Sequence, residues 1–455
     1  MSANQNLEKS KPTSPQKFVI LLLLFGGGLA VLLSLLPKGN VSAPSTETAT
    51  NAPRSSEIVE RGNHPLAQGI KRGEKQTAEK KVAARLAAFD KNRRATAHRY
   101  AEKLGITVPD DFEKFFDAAD TGNWEEIDRL YKEMQKKRMS LEGAEAEAFR
   151  KLFPTAHETY GAHEAAHSWP AQALLDYGHE VLGSLKPDMV YVGGTDPGRF
   201  IPTFLNETSD GEHHIVLTQN AFADATYLEY VDFLYGDRLK TLGGQESQSA
   251  FSEYLEGAAK RHAEGKLRPD ENYKSEEGRV QVSGSAAVMS INELLLKKLQ
   301  EKNPGLSFGL EESFSLPSTY SGAVPLGPIL ELKSENSTAQ LTASVAANSL
   351  DYWRDKVSQL NTALDSTSPA TTLAYAHMIV AQGNLFSSQN FSAEAEQAYR
   401  LAQQLAANEV EPTGKLYDLL MRNERATEAV KVLTQFQRTY PEKAEAIQKL
   451  VNPKR

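Results

Sequence analysis

The sequence has no cysteine among its 455 residues. Disulfides, thiolate metal sites, cysteine nucleophiles and a lipid-modified N-terminal cysteine are therefore excluded. A metal site would need His and carboxylates, and an exported chain would have to be stable without covalent staples. An excess of positive charge is missing as well. Lys and Arg number 51 against 59 Asp and Glu, a net charge of −8. That argues against nucleic acid as a partner, because such a surface is basic. Between Lys71 and Lys103 the balance reverses locally, with eleven Lys/Arg against four Asp/Glu, which reads as a solvated helix face. Glycine-rich dinucleotide and Walker patterns are absent too.

One hydrophobic run stands out. Phe18 to Leu36 is nineteen residues without a charge. As a helix, at about 1.5 Å per residue, it would span nearly the whole hydrocarbon core. Three glycines, Gly26 to Gly28, weaken it slightly. Lys9, Lys11 and Lys17 precede it and only Lys38 closely follows. The positive-inside rule then keeps residues 1–17 cytoplasmic and exports the rest. The expectation is a single-pass inner-membrane protein anchored by residues 18–37. A cleaved signal peptide is the competing reading, but Pro44 follows the small-residue site Val41-Ser42-Ala43 and disfavours cleavage.

The rest divides by composition. Residues 38–75 are rich in Ser, Thr, Pro, Asn and Gly and read as a flexible linker. Residues 76–179 carry helical stripes: Val82, Leu86 and Phe89; then Phe112, Phe115, Phe116 and Ala119; then, past Gly122-Asn123, Trp124, Ile127, Leu130, Tyr131 and Met134. Their simplest meaning is core packing. Over 180–335, short apolar runs alternate with helical stretches. Strands are expected at 189–192, 215–218, 279–282, 307–310 and 328–332, and helices at 199–206, 223–234, 248–263 and 287–302. The polar stretch 265–278 reads as a loop. This alternation predicts an α/β domain with a partly parallel sheet in Rossmann-like layers, flanked by helical segments. Residues 340–455 are helical again, with two similar helix pairs. Aligning Ala398 with Ala429 gives an offset of 31. These helices resemble tetratricopeptide units and are expected to dock a partner protein.

The strongest local feature is Val190-Tyr191-Val192-Gly193-Gly194-Thr195-Asp196-Pro197-Gly198-Arg199. A strand runs into glycines, Asp196 is placed to cap the next helix, and Pro197 suits its first position. A helix N-terminus beside Arg199 is an anion site in waiting. The next strand ends in Gln219 and Asn220, followed by Asp224, and a third ends at Glu311-Glu312. In a doubly wound sheet these strand ends share one rim, where ligands bind. The expected ligand-binding set is therefore Thr195, Asp196, Arg199, Gln219, Asn220, Asp224, Glu311 and Glu312. The alternative is that Asp196 only caps, Arg199 pairs with Asp224 or Glu311, and the cluster is structural.

The segments YVGGTDPGRFIPT, HIVLTQNAFADATYLEYVDFLYG, VMSINELLLKKLQEKNPGLSFGLEESF and PLGPILEL resemble successive blocks of a known soluble domain. It is the C-terminal part of a bacterial integral-membrane family of uncharacterised function, related to protein O-mannosyltransferases. The resemblance covers residues 180–335. In that family the catalytic machinery is thought to lie in a multi-spanning membrane part, which this chain does not share. The resemblance therefore implies an exported α/β recognition domain for a glycan, a lipid-linked sugar or a partner protein, with Asp196 and Gln219-Asn220 at its site.

A rival reading is a zinc metallohydrolase. His163-Glu164-Ala165-Ala166-His167 fits H-E-x-x-H, in which two imidazoles on one helix face hold zinc and the Glu activates water. Against it, Trp169-Pro170 closes the helix, the third-ligand candidates His179 and Glu180 lie across that break, and position 173 is Ala. Gly305-Leu306-Ser307-Phe308-Gly309 matches G-x-S-x-G only in letters, since a helix rather than a strand precedes Ser307. The favoured reading is a binding or scaffold protein that uses no cofactor.

Overall fold

The computed structural model describes residues 77–451 apart from 212, 277–278, 335–337 and 364–367, together with two N-terminal strands. These are β1 (Lys17–Phe25) and β2 (Gly28–Leu36), paired antiparallel. One helix is expected over 18–37, where the structure describes these two strands. The linker expected at 38–75 lies outside the described residues. No helix among the described residues is long and apolar enough to cross a membrane.

Five helices follow: α1 (Ala78–Leu104), α2 (Asp110–Thr121), α3 (Trp124–Ser140), α4 (Gly143–Ser168) and α5 (Ala171–Ser184). Their ends are set by local chemistry. Gly122 takes a left-handed φ of 67° to stop α2, and Asn123 caps α3 by accepting Glu126 N–H at 3.3 Å. The second and third expected stripes meet in one core of Phe112, Phe115, Phe116, Ile127, Tyr131 and Met134, joined by Phe149 and Phe153 of α4, whereas Val82 and Phe89 of the first stripe join a different core with α5 and α6. Helix α1 is tied to its neighbours by buried charge. Arg93 Nη1 lies 2.8 Å from Glu158 on α4 and donates to Tyr230 Oη at 2.6 Å, and the same guanidinium pairs with Glu207.

The α/β region comprises β3 (Val190–Gly193), α6 (Asp196–Glu207), β4 (Ile215–Thr218), α7 (Ala225–Tyr235), α8 (Gly244–Ala263), β5 (Asn272–Glu276), β6 (Arg279–Ser283), α9 (Ser285–Lys302), β7 (Phe308–Glu311), β8 (Val324–Leu326) and β9 (Ile329–Leu332). The five-stranded sheet runs β4-β3-β7-β9-β8. Strands β4, β3 and β7 are parallel, whereas β9 and β8 add antiparallel pairings. The partly parallel layer is thus present, with one change. The 279–282 strand belongs to a separate hairpin with β5, inside the stretch expected to be loop. Backbone pairing makes that ribbon, and its polar side chains give little apolar signal.

Side chains alternate across the sheet as a period of two residues requires. Val190, Val192, Ile215, Leu217, Phe308 and Leu310 join the core under α8 and α9. Tyr191, Val216 and Ile329 join the core beneath α5, α6 and the C-terminal helices. Those helices are α10 (Ala343–Thr362), α11 (Pro369–Ser388), α12 (Ser392–Leu405), α13 (Val410–Arg422), α14 (Ala426–Thr439) and α15 (Ala444–Val451). They are fastened to the sheet by amides that donate to main-chain carbonyls. Gln382 reaches Gly327 O at 2.7 Å, and Gln389 reaches Tyr320 O at 2.8 Å and Ala323 O at 3.0 Å. Glu180 on α5 accepts Tyr375 Oη–H at 2.9 Å and pairs with Lys356.

Candidate functional site: a rim closed by its own glutamate

The sequence of parallel strands makes a crevice before any ligand is considered. Strand β3 has its successor β4 on one side and the later β7 on the other. The chain changes direction between β3 and β7, and at such a switch point the strand ends part and leave room above the sheet. Gly193, at the end of β3, is in register with both Thr218 and Glu311. Of the expected set, Thr195, Gln219, Asn220 and Glu311 meet at this edge.

They meet to satisfy one another. The carboxylate of Glu311 lies over the start of α6. Its Oε2 accepts Gly194 N–H at 2.8 Å and Thr195 N–H at 2.9 Å, and its Oε1 accepts the Thr195 hydroxyl at 2.8 Å. The free amides and positive end of a helix dipole are the donors an external anion would use, and here Glu311 uses them. Burial raises the Glu311 carboxyl above the usual range, and the Thr195 and Gly194 donors offset part of that. The glycines follow from this packing. A Cβ on Gly198 would sit 1.9 Å from Glu311 Oε2, and one on Gly194 would sit 2.2 Å from Ser313 N.

The remaining expected residues divide. Thr195, not Asp196, is the N-cap, accepting Gly198 N–H at 3.0 Å; Asp196 is the first residue of α6. Arg199 pairs with Asp196 at 2.7 Å rather than with Asp224 or Glu311, and its guanidinium lies over the Phe200 ring at 4.3 Å. Gln219 is fully buried, accepting Ser313 N–H at 3.0 Å, while its Nε2 has no partner. Asn220 donates to Gly194 O at 3.3 Å and accepts the Ser313 hydroxyl at 3.2 Å. Asp224 caps α7. Glu312 points away from Glu311 and is buried, accepting Leu316 N–H at 3.2 Å and Tyr320 Oη–H at 2.9 Å. Burial pushes its carboxyl up to about 8. Ser313, which ties Gln219 and Asn220 together, is missing from the expected set. Its only sequence signal is its place two residues after a strand-ending glutamate.

The zinc reading fails on geometry. His163 is buried, with Nε2 3.0 Å from Asp90 Oδ2 on α1. His167 stacks on Trp124 with centroids 4.7 Å apart, and Glu164 accepts the Tyr160 hydroxyl at 3.3 Å. Glu180, a candidate third ligand, is engaged by Lys356 and Tyr375. No group of three or more His, Asp or Glu among the described residues could hold a metal ion.

No family model, curated protein or solved structure matches this chain.

Proposed function

We propose that the protein is a membrane-tethered, exported scaffold that carries a partner-docking face on its last helices. The observation behind this reading is how the polar groups are spent. Glu311, Glu312, Gln219 and His163 are buried and largely consumed by internal hydrogen bonds. The rim thus offers its best donors to Glu311 and not to a sugar-like or anionic guest. By contrast, three of the four exposed large hydrophobic residues among the described residues, Met421, Val430 and Leu450, lie on α13, α14 and α15. We take these side chains, one on each of three successive helices, as the docking face. A partner with an apolar helix face would cover them.

The membrane part of the reading rests on residues 18–36. A lone two-stranded hairpin in lipid leaves N–H and C=O groups unpaired on both edges, at several kcal/mol each. In a bilayer the run is therefore expected to cross as a helix, with residues 1–17 inside and the body outside.

The absence of cysteine makes the topology directly testable. Single-cysteine variants Ser10→Cys and Ser140→Cys are treated in intact cells with a membrane-impermeant maleimide. Labelling of Ser140→Cys alone supports the reading, and labelling of both or of Ser10→Cys alone ends it. For the docking face, Met421→Asp with Val430→Asp should abolish a site-specific crosslink to a membrane-fraction partner while leaving the melting temperature unchanged. A crosslink that persists would remove the scaffold role from these helices.

A further inference from the structure

Helix α1 buries one side and leaves the other as a flat basic face. Val82, Phe89, Ala97 and Tyr100 turn toward the body. Lys80, Lys81, Lys91, Arg99 and Lys103 are all exposed. At about 100° per residue they share one arc of about 140° on the side opposite the buried residues. Between them lie exposed alanines, Ala84, Ala88 and Ala95, and Glu102 is the acid in the arc.

The charge of this face is not matched within the fold. The acids that α2 turns toward α1 are already taken: Arg94 holds Glu113, Asp117 and Asp120, and His98 lies 2.8 Å from Glu113. Arg99 donates to the Thr96 hydroxyl at 3.0 Å, and the Lys103 ammonium lies 5.4 Å from the centre of the Phe233 ring. Both contacts are neutral. Arg99 and Lys103, one turn apart, repel each other, where an exposed helix face is steadied by placing an acid at that spacing. Lys80, Lys81, Lys91, Arg99 and Lys103 make no ion pair among the described residues. With only alanines between them, no longer side chain keeps the ammonium and guanidinium groups away from a flat surface.

The position of α1 says which surface. Residues 37–76 join it to the apolar run, so α1 is the first helix of the body after the proposed anchor. A bilayer that holds residues 18–36 keeps this helix close to lipid headgroups, and a weak contact then suffices. The pull of acidic headgroups adds up over the cations of such a face and fades within a Debye length, about 10 Å at 0.1 M salt.

We infer that the exposed face of α1 docks on acidic phospholipid and lays the body against the membrane. The inference rests on the membrane-tethered part of the proposed function and on none of the C-terminal helices.

The cysteine-free chain allows a direct test. Full-length Ala88→Cys is labelled with bimane and reconstituted into phosphatidylcholine vesicles, with or without phosphatidylglycerol, that carry a nitroxide on a fraction of the headgroups. Quenching should appear with phosphatidylglycerol, be weak without it, and vanish in about 0.5 M sodium chloride. In the same labelled chain, Lys80→Gln with Lys81→Gln and Lys91→Gln should lower the docked-to-free ratio at least about tenfold, with an unchanged melting temperature. A label at Glu256→Cys on α8, which covers the opposite face of the sheet, should stay unquenched in both lipids. Equal quenching in the two lipids, quenching that survives salt, or an unaffected triple variant overturns the assignment and leaves the face to solvent or to an acidic protein. Flotation of the chain with neutral vesicles reports the anchor separately. Should that fail, flotation with phosphatidylglycerol vesicles that the triple variant loses still upholds the α1 face, and flotation with neither lipid ends both readings.

Discussion

Glu312 gives the sharpest test of how the sheet and the C-terminal helices share charge. Its carboxyl is buried behind β7 with two donors, Leu316 N–H and Tyr320 Oη–H. Lys415 favours its ionised form from a distance and Glu411 opposes it, but burial outweighs both and lifts it from 4.5 to about 8. A folded-state value above the unfolded one means that the fold holds the proton more tightly. The contribution is then fully present below about pH 4.5, declines as the pH rises, and is lost above about pH 8. The full swing is about 5 kcal/mol at most. Glu312→Gln keeps the size and an acceptor for Leu316 N–H but cannot ionise. In urea unfolding of the detergent-solubilised chain, the parent should lose several kcal/mol between about pH 5 and pH 8.5 beyond any loss in the variant. At the alkaline end the variant should be the more stable of the two. Parallel curves, or a parent that is more stable at about pH 8.5, would show that Glu312 is ionised in the fold and balanced by Lys415, and the argument would be wrong.

Three more outcomes are expected. Gly198→Ala drives a Cβ to 1.9 Å from Glu311 Oε2 and should cost about 2–4 kcal/mol by thermal unfolding. Gly211→Ala, with nothing within 4 Å, serves as its neutral control. Arg93→Met strands Glu158 and Glu207 and should destabilise by about 3–5 kcal/mol, and adding Glu158→Gln should restore part of it in a double-mutant cycle. Metal analysis of the purified chain should find less than about a tenth of an equivalent of zinc, and His163→Ala should lower stability without changing metal content, because it leaves Asp90 buried and unpaired.

Much of the fold is legible in the chain because it is written locally. Gly122-Asn123 stops one helix and caps the next, and Trp169-Pro170 ends α4 at Ser168. Strands β3, β4, β7 and β9 fall within a residue or two of the apolar runs that announce them. What fails is whatever depends on partners far off in sequence. That Glu311 would reach the start of α6 depends on register between strands well over a hundred residues apart. Arg199 is the opposite case: Asp224 and Glu311 are its expected partners, and it pairs instead with Asp196 three residues away. The H-e-x-x-h pattern likewise says nothing of Asp90, which turns His163 inward. The amphipathic stripes of α1 also give no hint that Arg93 is among its most buried residues. A buried arginine becomes intelligible only once Glu158, Glu207 and Tyr230 surround it.

The division at residue 340 is a change of composition and not of core. Tyr177, Leu185, Tyr191 and Ile329 share one buried cluster with Trp353, Tyr375, Ile379 and Tyr399. The Tyr177 and Tyr375 rings meet edge to face at 5.5 Å, and Leu385 enters the cluster on the other side of the sheet. Deleting residues 340–455 would therefore strip a face of the α/β layer and strand Glu180 without Lys356 and Tyr375. Loss of a partner after that deletion would report unfolding, and would say nothing about where the partner binds. Point changes on the exposed side of α13 and α14 keep the shared core intact, so they alone separate docking from folding.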